Sequence, residues 1–109
     1  MPTTYKVLGQ SNPAATTATA LYTVPAATSA VVSTISICNQ AGTSATYRIA
    51  IRPAGATLAA EHYLVYGATV AASDSVLLTV GVTLATTDVI TVYASSANVS
   101  FSAFGSEIV

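Results

Sequence analysis

The side chains able to carry acid–base, nucleophilic or metal chemistry are few in this chain. They are His62, Cys38 and the carboxylates Glu61, Asp74, Asp88 and Glu107. Hydroxyls are plentiful, so a hydrolytic triad would be limited by its base and its orienting acid. His62 is the one candidate base. It alternates with Leu64 and Tyr66 at the start of an expected strand, where a histidine usually serves as a polar edge residue. The four acids are far apart in sequence, and Asp74 and Asp88 fall where turns favour aspartate. One histidine, one cysteine and dispersed acids do not make a transition-metal ligand set. No glycine-rich phosphate loop occurs. The expectation is a protein that is not an enzyme and uses no cofactor or metal.

Binding chemistry is better represented. Arg48 and Arg52 stand four residues apart in the run Tyr47-Arg48-Ile49-Ala50-Ile51-Arg52. In a strand this spacing places both guanidinium groups on one outward face. Such a pair either keeps a solvated strand from sticking to its neighbours or grips the carboxylates of a partner, arginine being enriched at interfaces. The tyrosines Tyr5, Tyr22, Tyr47, Tyr63, Tyr66 and Tyr93 are the second feature. Tyr63 and Tyr66 have odd spacing, so a regular strand cannot hold both on one face, and at least one is expected to point away from the core. An exposed tyrosine can anchor a protein partner or stack on a sugar, whereas a buried one simply packs. Arg48, Arg52, Tyr63 and Tyr66 are therefore the candidate interface residues.

Composition narrows the partners. Charged residues make up 6% of the chain and the net charge is −1, against about 25% charged residues in ordinary domains. Three scattered cations cannot neutralise a phosphate track, so no nucleic-acid partner is expected. Hydrophobic residues reach 52% and mean hydropathy is +0.64, which excludes a disordered chain. The apolar residues are interrupted throughout, and no window offers the roughly 18–20 consecutive ones of a membrane helix. No membrane partner is expected. The N-terminus lacks a basic segment followed by an apolar run, so synthesis in the cytoplasm without a signal peptide is expected. Cys38 is the one cysteine, and no intrachain disulfide can form. Alanine, threonine and serine make up almost half the chain. A near-neutral surface of this kind repels itself little and resembles the centre of an interface. Association with another protein, or with further copies of the same chain, follows.

The elements that must position these residues read as strands. The clearest are 31–38, 47–52, 89–93 and 99–104. Shorter ones are expected at 5–8, 19–24, 62–66, 68–71, 75–80 and 81–84. Clusters of Ala, Ser, Thr, Asn, Asp and Pro separate them. Residues 57–61 have room for one helical turn. The fold class is all-β: a single antiparallel sandwich of about eight strands, jelly-roll or immunoglobulin-like, over residues 1–109. Residues 9–20 are polar and small enough to form an arm that orders on a partner. Val31, Ile35 and Ile37 are expected on one face of their strand, and Ile49, Ile51, Tyr93 and Phe101 in the core. A weak internal echo links residues 23–31 with 69–76; each reads as strand, small-residue turn, strand, as two similar corners would.

The phrases Leu21-Tyr22-Thr23-Val24-Pro25-Ala26, Val31-Val32-Ser33-Thr34-Ile35 and Cys38-Asn39 resemble those of small virion proteins of tailed bacteriophages, including cyanophages. The later phrases at 47–55, His62-Tyr63, 87–94 and 101–105 are similar to the same group, so the resemblance spans nearly the whole chain. It lies in strand and turn phrases and brings no active-site residues. It implies a β-sandwich subunit of the virion, with the major capsid protein or another virion protein as partner. A cement or decoration protein bridging capsid subunits fits first; a neck, tail, baseplate or fibre-base subunit uses the same physics at lower copy number. A carbohydrate-binding adhesin is a third reading. It is disfavoured by the absence of tryptophan and the scarcity of polar sugar-binding side chains.

Overall fold

Threonine, valine and isoleucine, stiff at the first side-chain torsion, favour the pleated chain over a helix. The computed structural model, which describes residues 2–109, accordingly contains eight strands. They are β1 (Thr3–Ser11), β2 (Thr19–Thr23), β3 (Ser29–Asn39), β4 (Ala45–Arg52), β5 (Tyr63–Val70), β6 (Ser75–Leu84), β7 (Val89–Ala94) and β8 (Val99–Ile108). They form two antiparallel four-stranded sheets, ordered β1-β8-β3-β6 and β2-β7-β4-β5. The pairing is nested: β1 with β8, β2 with β7, β3 with β6 and β4 with β5. A long hairpin folded over on itself gives this order, which is that of a jelly roll. In place of a helical turn at 57–61 there is a 3-10 turn at Ala60–His62, following another at Pro53–Gly55.

The inward faces carry Ile35, Ile37, Ile49, Ile90, Val92, Val99 and Phe101, all fully buried. Tyr47 meets Phe101 edge-on, with ring centroids 6.4 Å apart. Bulges decide which residues these are. The β3 register shifts between Val32 and Thr34, and the extra residue reverses the strand's phase. Val32, rather than the expected Val31, is therefore buried beside Ile35. Ile49 and Phe101 lie in the core as expected, while Ile51 at the end of β4 is only half-buried against it. Tyr93 does not join the core. Its neighbours Ile90, Val92 and Ala94 take the inward phase, and Tyr93 faces out with Thr91.

The corners repeat one device. Ala27, Ser73 and Thr87 have φ of 55°, 54° and 68°, each in a short turn entering the next strand. The echo between 23–31 and 69–76 is thus a pair of equivalent corners, and 84–88 is a third. Asn39, fully buried, closes the opposite end of β3. Its amide donates to the carbonyls of Thr43, Val70 and Ala71, and its Oδ1 accepts from the Ala41 N–H.

The stretch 9–20 is built into the sandwich instead of forming an arm. Its ends lie in β1 and β2. Between them the Asn12 amide donates to the Ala97 and Val99 carbonyls at 2.9 and 2.8 Å, and the Thr16 N–H donates to Ala94. A polar, small-residue segment needs no apolar core of its own when a neighbouring corner satisfies its polar groups.

Candidate protein-docking face

The candidate interface residues meet on the outer face of the sheet β2-β7-β4-β5. On β4, Tyr47, Ile49 and Ile51 take the inward phase, which leaves Arg48, Ala50 and Arg52 outward. Arg48 lies directly opposite Tyr66 of β5 on one side and Tyr93 of β7 on the other. Its guanidinium carbon is 4.2 Å from the centre of each ring. The cation thereby lies between two aromatic rings, a favourable cation–π arrangement. Its N–H donors have no hydrogen-bond acceptor and no carboxylate partner among the described residues, where Lys6–Glu107 is the one ion pair. A guanidinium held between two rings, with its N–H donors unused, is suited to bidentate capture of a carboxylate.

Tyr63 and Tyr66 share this outer face despite their odd spacing. The β4–β5 register shifts twice, with Leu64 and Gly67 as the unpaired residues. Gly67 takes φ of 76°, the glycine conformation typical of one bulge type. The Leu64 bulge restores the phase, so Tyr63 lies opposite Ala50 while Tyr66 lies opposite Arg48. The two rings meet at right angles, with centroids 4.9 Å apart. Beside them an open groove is lined by Leu58, Ala59, Ala60, Tyr63 and Tyr66. Tyr66 is 65% exposed, a large apolar ring left at the groove's edge.

Arg52 differs from Arg48. Its Nε donates to Thr91 Oγ1 at 2.9 Å, and its Nη1 reaches the carbonyls of Ala56 and Gly55 at 3.1 and 3.4 Å. It ties the 53–56 loop to the sheet, and most of its donor capacity is already spent. Asp88 fixes the same loop by accepting from the Ala54 N–H, and its other oxygen accepts from the Ala85 N–H within the β6–β7 turn. His62 holds the groove's other wall: its Nδ1 accepts from the Ala59 N–H at 3.1 Å, and its backbone N–H donates to the Ala59 carbonyl. Cys38 is half-buried with a free thiol. No group of three or more His, Cys, Asp and Glu able to hold a metal ion occurs among the described residues.

Sequence reasoning missed Tyr93 and the groove wall at 58–60. Tyr93 shares parity with Thr91, the polar residue of an otherwise apolar run, and that parity was the available signal. The groove wall arises from the path of a loop and leaves no periodic trace.

No protein-family model, no curated protein and no solved structure matches this chain.

Proposed function

We propose that this chain is a non-enzymatic structural subunit of a tailed-bacteriophage virion, a cement or decoration protein that docks on the major capsid protein. The observation that carries the reading is Arg48, clamped between Tyr66 and Tyr93 with its donor edge open beside an apolar groove. Preorganised aromatic and arginine side chains are the usual anchors of protein interfaces. With so few charges elsewhere, the surrounding surface of Ala, Thr, Ser and Val is cheap to desolvate. The partner would supply a carboxylate for Arg48 and an apolar side chain for the groove. Arg48 would then fix orientation as well as affinity. The jelly-roll order is compatible, since viral capsid domains use it among many others, though this is an analogy of fold.

The test is the presence and copy number of the chain in purified particles of the phage that encodes it. Band intensity near that of the major capsid protein supports decoration. A small fixed number of copies moves the chain to the neck, tail or baseplate, and absence from particles overturns the virion reading. Binding to host-surface glycans by the isolated chain, lost on Tyr66→Ala, would support the adhesin reading instead.

A further inference from the structure

Strands β5 and β6 are the free edges of the two sheets at the same side of the sandwich. Neither contains a single charged residue or proline. Natural edge strands are usually guarded by lysine, proline or shortness, and the ten-residue β6 has none of these. Its segment 75–80 alternates strictly. Val76, Leu78 and Val80 face the core, and Ser75, Leu77 and Thr79 face out opposite Cys38, Ser36 and Thr34 of β3. Leu77 is 67% exposed. The regular stretch ends at Gly81, whose φ of 59° marks the bulge opposite the β3 register shift.

We propose that the β6 edge is a self-association site, pairing antiparallel with β6 of a second copy about a two-fold axis at Leu77. The sequence is self-complementary in that register. Leu77 would meet Leu77 of the second copy on the outer face, and Ser75 would meet Thr79, hydroxyl against hydroxyl. Val76 would meet Leu78 toward the core. Cross-strand pairs of these kinds stabilise antiparallel ladders. No like charges face each other along 75–80, and the otherwise unpaired backbone N–H and C=O groups of the edge are satisfied. The sheet β1-β8-β3-β6 then continues into its copy as eight strands. This inference does not depend on the Arg48 face, which belongs to the other sheet.

The experiment is sedimentation velocity on the full chain across a concentration series, for the wild type and for Leu77→Lys and Leu77→Glu. Circular dichroism confirms that each remains folded, as expected at an exposed position. The wild type should show a concentration-dependent dimer. Each variant alone should associate about tenfold or more weakly, because like charges would sit directly opposite each other. An equimolar mixture of the two variants should dimerise again, lysine against glutamate. A wild type that stays monomeric throughout overturns the proposal and leaves the edge to a strand from a different protein. A dimer that survives both single variants, or a mixture that stays monomeric, overturns the two-fold register at Leu77. Arg48→Glu should leave the dimer unchanged, which separates this site from the docking face.

Discussion

The two long sides of the sandwich are finished in opposite ways. On the side formed by β1 and β2 the sheets close on each other. Gly9 lies so near the Leu21 carbonyl that a β-carbon there would collide with it. Nearby, Glu107 accepts a hydrogen bond from the Tyr22 hydroxyl at 2.5 Å and pairs with Lys6 at 3.0 Å. The hydrogen bonds from Tyr22 and Lys6 hold the Glu107 carboxyl below its ordinary value. Burial, reinforced by Glu107, pushes the Tyr22 hydroxyl far above its own. On the side formed by β5 and β6 there is no charge in either strand, and Tyr66, Leu64 and Leu77 are exposed. A chain with so few charges has used two of them to lock one side and none to guard the other. Since β1 also exposes Tyr5 and Val7, the difference lies less in apolar exposure than in the Tyr22–Glu107–Lys6 contacts that lock the β1–β2 side.

The largest difference between the two sides is expected at their glycines. Gly9→Ala should cost about 3 kcal/mol, because backbone on both sides of the contact must move. Gly67→Ala and Gly81→Ala meet no atoms within 4 Å, so their cost is the left-handed backbone alone, about 1–2 kcal/mol. Asparagine tolerates that conformation and should recover part of the loss at 67 and 81, but none of it at 9. Urea midpoints decide this, and equal sensitivity at all three positions would mean that the β1–β2 side is not closed.

Glu107→Ala comes next. It leaves the Tyr22 hydroxyl without its acceptor, at about 1–3 kcal/mol. The pH dependence has a definite sign. Glu107 binds its proton less readily in the folded chain, so its contribution is complete above the ordinary value of 4.5 and is lost as pH falls through the lower folded value. Tyr22 acts in the other direction, its contribution being lost as pH rises above the ordinary tyrosine value of 10. Glu107→Gln should flatten the acid loss between pH 7 and pH 3, measured as the difference in urea midpoint, relative to the wild type. The smallest stability effect belongs to the open side, where Leu77→Lys should change the unfolding free energy by no more than about 0.5 kcal/mol. A large loss there would show that Leu77 is part of the fold and not of a contact surface.

The architecture was legible in the sequence because β-branched runs and small-residue turns alternate along the chain. The phase of individual strands was less so. The bulges in β3 and β5 exchange inward and outward residues, and the residues there, such as Ser33 and Leu64, look like any other strand positions. Gly67 and Gly81 are the exceptions, since glycine inside a strand pattern marks such irregularities. Of the interface candidates, Arg48 could be placed outward from its strand spacing, whereas the shared face of Tyr63 and Tyr66 depends on two bulges that their spacing does not show. That Arg52 is spent on its own loop while Arg48 is clamped by Tyr66 and Tyr93 depends on a loop path and on cross-strand register, which no single segment encodes.

In the proposed docking role, the unused donors of Arg48 orient the chain on its partner. The most direct measurement is the copy number of an Arg48→Glu variant on purified particles, after circular dichroism has shown its β structure intact. The expected result is a folded variant that is lost from particles, because the reversed charge would face a partner's carboxylate. Incorporation at the wild-type level would contradict it and place the contact on another face of the sandwich.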